Sequence, residues 1–102
     1  EVKKFGLRAP MVGHLGDGNF HVLLPYNPEK KETYEKIRKF SDILIEKTLE
    51  LEGTITGEHG VGLHKKEYLK KEHADNLPTM KLIKRTMDPN NIMNPGKIFD
   101  LN

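Results

Sequence analysis

The 102-residue sequence contains no cysteine, and this absence excludes disulfide bonds, thiolate metal ligands and a cysteine nucleophile. It also lacks a signal-peptide pattern and any apolar run near the ~20 residues that a helix needs to cross a bilayer. Neither sign of charge is in large excess, because 17 lysines and arginines oppose 15 acidic residues. With only four phenylalanines and three tyrosines and no basic stripe among them, the composition argues against a nucleic-acid-binding protein.

Hydrophobic residues make up 35% of the chain and charged residues 31%, which is enough for one small domain with a modest core. No internal repeat or low-complexity segment is present. The chain begins at Glu1 within the charged stretch "EVKKFGLRAP". Such a start is expected of a piece of a longer protein, of a processed chain or of an incomplete record.

The most regular pattern is that of an amphipathic helix following "NPEKK". Asn27 is placed to cap this helix and Pro28 to occupy its first position, while Gly53 would end it in a left-handed conformation. The lysines and glutamates of "KKETYEKIRK" are typical of its solvated face. One apolar stripe recurs at helical spacing, formed by Ile37, Phe40, Leu44, Thr48 and Leu51.

Two further helices are predicted, over residues 65–72 and 77–87. The second is entered at Pro78 and stopped by "DP". Three of its apolar residues share one side, which we expect to face the core: Met80, Ile83 and Met87.

Strand patterns precede and follow the long helix. Alternation between Gly6 and Leu24 predicts two strands, and "GTITGEHGVG" predicts a short strand and a turn. The tail "NNIMNPGKIFDLN" has too many turn-forming residues for regular structure. The order strand, strand, helix, strand, helix, helix predicts an α+β layer fold with a mostly antiparallel sheet.

The segment "GHLGDGNFH" places two histidines around a glycine-rich turn. Asp-Gly favours a two-residue hairpin turn, and a turn centred on residues 17–18 puts His14 opposite His21, with Cα atoms about 4.5–5.5 Å apart. Two imidazoles on one face can share a metal ion, and the alternative is a pair of solvated histidines. The same register gathers an apolar set on the other face, for packing against the long helix: Met11, Leu15, Phe20, Val22 and Leu24.

A second polar group stands in "GEHG", where glycines flank Glu58 and His59. One carboxylate added to two imidazoles gives a ligand set typical of catalytic divalent-metal sites, with His59 left beside it as a base. The alternative is a glycine-rich loop with two polar residues and no ligand. His64 and His73 lie among lysines and are assigned no role.

Three motifs, "GHLGDGNFH", "EGTITGEHGVG" and "DPNNIMNPGK", resemble in this order the C-terminal part of FAD-linked 2-hydroxyacid dehydrogenases. The resemblance is to the D-lactate dehydrogenase and glycolate oxidase (D-subunit) group of the vanillyl-alcohol oxidase superfamily, and it runs from about Val12 to Phe99. It implies an FAD-binding domain followed by a ferredoxin-like α+β substrate domain, of which residues 1–102 would be the last part. No segment here is suited to bind a flavin diphosphate, so we expect this chain alone to be inactive.

The resemblance also implies roles for individual residues. The metal ligands would be His14, His21 and Glu58, holding zinc or manganese, with iron as a further candidate. His59 would be the general base, and Asn94 of "NPGK" would lie toward the flavin. A divalent ion that binds the substrate 2-hydroxyl group lowers its pKa, so that an imidazole can take the proton while hydride passes to FAD.

The implied substrate is a small D-2-hydroxy acid. The 2-hydroxyglutarate branch tends to have an asparagine where this chain has Leu23, so the resemblance favours D-lactate or glycolate. The implied partners are the chain's own FAD-binding domain and an electron-transfer subunit, in a cytoplasmic enzyme or one that joins a membrane through partner subunits. Two other classes stay open, a stand-alone metal-binding or ligand-sensing module and a structural domain with idle histidines.

Overall fold

The computed structural model describes residues 1–101, which form two compact units that divide after Glu52. The first unit contains two helices and an antiparallel pair of strands: α1 (Val2–Phe5), β1 (Met11–Val12), β2 (His21–Val22) and α2 (Lys31–Glu50). The second unit contains α3 (Lys66–Glu72) and α4 (Leu77–Met87). The α+β class is therefore confirmed. The ferredoxin-like layer stays a prediction, because β1 and β2 form the only sheet among the described residues.

Helix α2 carries the predicted apolar stripe, with Phe40 buried at its centre and Leu51 exposed beyond its end. The solvated face is confirmed by ion pairs one helical turn apart, such as that between Lys36 and Glu32 at 2.6 Å. The predicted start was wrong, because the helix begins at Lys31 rather than Pro28. Asn27 instead forms a turn before the helix, in which its Oδ1 atom accepts a hydrogen bond from the backbone N–H of Glu29 at 3.0 Å.

The end of α2 also differs from the prediction. Gly53 does not adopt a positive φ, whereas Glu52 does, at 59°. The backbone N–H groups of Leu51 and Glu52 bond to carbonyl oxygens of the last helical turn, so the helix closes on its own carbonyls before Gly53 is reached.

The core of the first unit lies between α1 and α2. The rings of Phe5 and Phe40 meet edge to face, with centroids 6.2 Å apart and planes at 71°. Only 4% of Phe40 is exposed, and Gly6 ends α1 at a φ of 62°. The sequence pattern did not predict α1, since four residues are too few to show a helical period.

The second unit combines two predicted helices with long irregular segments. Helix α4 has the predicted bounds, and α3 begins one residue later than predicted. The expected strand in "GTITGEHGVG" was wrong, because residues 53–65 are irregular. The predicted irregular tail, residues 90–102, is irregular as far as Leu101, and Asn102 lies outside the described residues. The core-facing side predicted for α4 was also wrong in part, since Ile83 and Met87 are 58% and 76% exposed.

None of the helices within residues 1–101 combines the length and apolarity needed to cross a membrane.

Candidate metal centre

The two histidines of the first motif occupy different local structures. His21 lies in β2 and is half-buried, whereas His14 is exposed at the start of a 3₁₀ turn over Leu15–Asp17. The carbonyl oxygen of His14 accepts hydrogen bonds from the backbone N–H groups of Asp17 at 2.9 Å and Asn19 at 3.2 Å. These bonds hold the backbone of His14 in the turn, outside the pairing of β1 with β2.

The predicted register of the hairpin was wrong by two residues. Val12, rather than His14, is the partner of His21, and Met11 is paired with Val22. The register differs because the connection between the strands is longer than expected. Residues 13–20 form a loop in which the 3₁₀ turn replaces the expected two-residue turn. His14 and His21 therefore belong to one hairpin without lying directly opposite each other.

Gly13 makes this loop sterically feasible. Its φ is 154°, and a Cβ atom added there would lie 2.6 Å from both the carbonyl oxygen of Asn19 and the Cα atom of Phe20. Both neighbours are backbone atoms, which cannot rotate away as a side chain would. The close approach of the two strands next to His14 therefore requires glycine.

The apolar face of the hairpin does not pack as predicted. Val22 and Leu24 are half-buried, but Met11 and Leu15 are 69% and 78% exposed. Together with Phe20, they line an apolar cavity of about 340 Å³, to which Val12 and Gly13 also contribute. The expected burial of this whole set against the long helix was therefore wrong for Met11, Leu15 and Phe20, the last of which is 41% exposed.

Glu58 and His59 of the second motif stand side by side. The Nε2 atom of His59 lies 3.4 Å from the Oε1 atom of Glu58, and both side chains are exposed. Gly60 and Gly62 follow with φ angles of 69° and 54°, which residues with a Cβ atom rarely adopt. The turn thus presents a carboxylate and an imidazole together, as the sequence predicts.

Asn94 of the third motif also has a positive φ, 47°, and lies in an exposed turn. Its carbonyl oxygen accepts a hydrogen bond from the backbone N–H of Lys97 at 3.2 Å. The Nζ atom of Lys66 donates to the carbonyl oxygen of Gly96 at 3.1 Å and to Asp100 at 2.6 Å. Lys66 thereby holds the "NPGK" turn against α3.

Residues 1–98 match the family "FAD linked oxidases, C-terminal domain". The chain belongs to this family. Three relatives with similar sequences have names of three different 2-hydroxy-acid enzymes. This FAD-linked oxidase C-terminal domain is 42% identical over 100 residues to a D-lactate dehydrogenase (cytochrome), mitochondrial, of Arabidopsis thaliana. It is 41% identical over 97 residues to glycolate oxidase subunit GlcD of Bacillus subtilis and over 90 residues to a D-2-hydroxyglutarate dehydrogenase of Stutzerimonas stutzeri.

These alignments cover 97%, 94% and 85% of the chain, respectively. They cover only 18%, 21% and 19% of the three relatives. The FAD-linked oxidase C-terminal domain seen here therefore spans about a fifth of the length of the curated relatives it matches.

One buried group of this FAD-linked oxidase C-terminal domain was not predicted from the sequence, the carboxylate of Asp88. It accepts hydrogen bonds from Lys84, from the backbone N–H of Ile92 at 3.0 Å and from that of Met93 at 2.9 Å. The bond from Lys84, followed by those from Met93 and Ile92, lowers the pKa of Asp88. The i, i+4 spacing of Lys84 and Asp88 at the end of a predicted helix is the sequence signal that could have found this group.

Lys65 and Glu72 were not predicted either. Both bind the backbone of Ile55, three residues before Glu58. The Nζ atom of Lys65 donates to the carbonyl oxygen of Ile55, and Glu72 accepts from its backbone N–H, each at 3.0 Å. No local sequence pattern indicates these contacts, because they join residues that are 10 and 17 positions apart.

Proposed function

We propose that the chain is the C-terminal part of the substrate domain of an FAD-linked enzyme that oxidises a small D-2-hydroxy acid to the 2-oxo acid. The observation that carries the proposal is the family match over residues 1–98, which includes all three motifs. The names of the relatives support the substrate class, since each is a 2-hydroxy-acid enzyme. The intact protein would add the FAD-binding domain and complete the ferredoxin-like arrangement.

We further propose that His14, His21 and Glu58 bind one divalent cation, zinc or manganese. The donor set fits such an ion, because two imidazoles and one carboxylate suit both metals and leave positions for a substrate. The exposure of His14 and Glu58 also fits a site that a small molecule must reach. When bound, the cation would supply positive charge that lowers the pKa of a coordinated hydroxyl group.

His59 is proposed as the base that takes the proton of the substrate hydroxyl group. Its imidazole is exposed, and it lies next to the proposed ligand Glu58, so a hydroxyl group held there would be within its reach. Imidazole side chains suit this task because they generally exchange protons near neutral pH. FAD, when bound by the rest of the protein, would accept the hydride from the α-carbon.

Leu23 and Asn94 complete the proposed assignment. Leu23 follows His21 by two residues and is 50% exposed. It offers an apolar surface that suits a small substrate such as D-lactate, which has a methyl group, or glycolate, which has no side chain. Asn94 would lie on the flavin side, in the exposed turn that Lys66 contacts through Gly96. An electron-transfer subunit is the further partner that we propose for the intact enzyme.

For the compartment, we propose a cytoplasmic enzyme that reaches a membrane through partner subunits. The name of the Arabidopsis relative makes the mitochondrion the second candidate. Microscopy of the intact protein, fused to a fluorescent protein at its C-terminus, distinguishes the two.

A calorimetric zinc titration of the 102-residue chain tests the ligand set. We expect one zinc ion per chain in the wild type, loss of binding in His21→Ala, and wild-type binding in the control His64→Ala. Binding that survives His21→Ala would contradict the ligand assignment.

Anaerobic reduction of the flavin in the intact protein tests the reaction. We expect D-lactate or glycolate to bleach the flavin absorbance, and D-2-hydroxyglutarate to do so more slowly because of Leu23. If no 2-hydroxy acid reduces the flavin while zinc still binds, the chain is a metal-binding module and the proposed reaction is refuted.

A further inference from the structure

The Glu58 turn lies in the middle of a seven-residue segment, residues 55–61, whose two ends contact the same lysine. The backbone N–H of Lys65 donates to the carbonyl oxygen of Val61 at 3.3 Å. The Nζ atom of Lys65 donates to the carbonyl oxygen of Ile55 at 3.0 Å. One residue therefore closes the segment at both ends, with Glu58 three residues from each end.

The Ile55 end is held most firmly. Its side chain is 4% exposed, and its backbone N–H donates to the Oε2 atom of Glu72 at 3.0 Å. The side chain of Glu72 is itself only 12% exposed. The N–H and the carbonyl group of Ile55 thus both have partners: Glu72, the last residue of α3, and Lys65, the residue directly before α3.

The segment is not part of a helix or a strand. Residues 53–65 form neither helix nor strand, and glycines at 57, 60 and 62 give the backbone wide conformational freedom. In such a segment, contacts at the ends contribute to order, because closing a flexible loop has an entropic cost that they help to offset. Both hydrogen bonds of the Ile55 backbone involve a charged group, Lys65 or Glu72, and such bonds are stronger than neutral ones. Of these two residues, Lys65 is the one that also bonds to the other end of the segment, at Val61.

We propose that Lys65 is a positioning residue that sets the place of Glu58 and His59 by fixing both ends of residues 55–61. Its effect on the order of the turn follows from these contacts alone. Its effect on metal binding rests on the proposed function, in which Glu58 is a ligand. In this proposal Lys65 is not a ligand and acts through its contacts with residues 55–61.

The first measurement is amide hydrogen exchange, by NMR, in the wild-type chain and three variants. Lys65→Met keeps a long apolar stem and removes the donor, whereas Lys65→Arg keeps a charged donor. Lys70→Met is the matched control, because Lys70 lies in α3, which begins directly after Lys65, and its hydrogen bond, to Glu67, is on the surface.

In Lys65→Met, we expect the amides of Ile55 and residue 65, which donate the hydrogen bonds at the two ends of the segment, to exchange about tenfold faster, the effect of losing one charge-assisted hydrogen bond. Those of α4 should keep their wild-type rates. Lys65→Arg and Lys70→Met should resemble the wild type. Unchanged exchange at both of these amides would overturn the proposal, as would equal acceleration in α4, which would show that Lys65 stabilises the whole unit rather than the segment.

The second measurement is the zinc titration of the same variants. We expect Lys65→Met to bind zinc about tenfold more weakly with the same stoichiometry, and Lys65→Arg to restore the affinity. Wild-type affinity in Lys65→Met, despite faster exchange, would refute the link between the turn and the metal. If the wild-type chain binds no zinc, the proposed metal site fails, and the exchange rates alone decide whether Lys65 positions the turn.

Discussion

Replacing Gly13 with alanine should destabilise the hairpin that carries His14 and His21. The added Cβ atom would lie 2.6 Å from the carbonyl oxygen of Asn19 and 2.6 Å from the Cα atom of Phe20. Real Cβ atoms do not tolerate such contacts, so the backbone of one strand must move. The φ of 154° adds strain, because L-residues with a side chain rarely adopt positive values.

The size of the effect follows from these two terms. Overpacking with one methyl group costs about 1–3 kcal/mol, and a left-handed backbone costs a non-glycine residue roughly 1–2 kcal/mol. Partial relaxation makes the sum smaller, so we expect a loss of about 2–4 kcal/mol. For a chain of this size, whose total stability is on the order of 5–15 kcal/mol, that loss is large.

Urea unfolding followed by circular dichroism measures the change, with Gly16→Ala as the matched control. Gly16 is in the same loop and has no positive φ, and a methyl group added there would meet no heavy atom within 4 Å other than those of its chain neighbours. Gly16→Ala should therefore change the free energy of unfolding by no more than about 0.5 kcal/mol. Equal midpoints for the two variants would refute the close approach at Gly13 and, with it, the register in which Val12 faces His21.

Three further predictions concern catalysis, the core and pH. His59→Gln should leave zinc binding by the chain intact, but slow flavin reduction in the intact protein by about 100-fold or more. It should also remove the part of the pH–rate profile that reports the base, and an unchanged profile would exclude His59 from that role. Phe40→Ala should lower the free energy of unfolding by about 3–5 kcal/mol in urea titrations, because it removes the buried ring that packs against Phe5; a change below about 1 kcal/mol would contradict this core. The hydrogen bond from Lys84 lowers the pKa of Asp88 in the folded state. The ionised carboxylate therefore stabilises the fold at pH values above its ordinary pKa of 3.8, and this stabilisation is lost as the pH falls through the lower pKa of the folded state. Asp88→Asn should therefore destabilise the chain at neutral pH and weaken its acid sensitivity, measured as urea midpoints between neutral and acidic pH; an acid sensitivity equal to that of the wild type would contradict it.

The helices were the most predictable part of the fold, since a helical period and its stop signals are local. Helix α4 matches its prediction over Leu77–Met87, where Pro78 opens the helix and Pro89 follows its end. The start of α2 was misplaced because Asn27 suits both a helix cap and a turn. The side-chain types alone do not distinguish these two structures.

The hairpin register could not be predicted because its loop contains several glycines. Gly13 and Gly18 both adopt positive φ, at 154° and 71°, and together they allow an eight-residue connection. The Asp-Gly pair at residues 17–18 favours a shorter one. The choice depends on contacts across the loop, such as the bond from Asn19 to the carbonyl oxygen of His14.

Apolar patterns predicted which residues share a face, but not what covers that face. In α4, Met80 is half-buried, while Ile83 and Met87 on the same predicted side are largely exposed. A helical period reports the spacing of apolar residues along one element, and burial also requires a second element. The prediction of a core on this side of α4 therefore went beyond what periodicity can establish.

The main residues of the candidate site could be predicted from the sequence, but the lysine contacts that support the irregular segments could not. Glu58 and His59 stand out because glycines mark their turn, but Lys65, Lys66 and Lys84 have the appearance of ordinary surface lysines on helices. All three donate to carbonyl oxygens of irregular segments, those of Ile55, Gly96 and Met93. Irregular backbone has no ladder to satisfy its polar groups, and long charged side chains from neighbouring helices can do so.

The same residue type thus has two roles in one chain, and the surroundings decide between them. Lysines of α2, such as Lys36 and Lys47, pair with glutamates on the same helix and face solvent. Lysines at the ends of α3 and α4 lie next to segments 53–65 and 88–101, which have no regular structure. A lysine near a glycine-rich motif is therefore better judged by the unpaired carbonyl oxygens around it than by the charge pattern of its own helix.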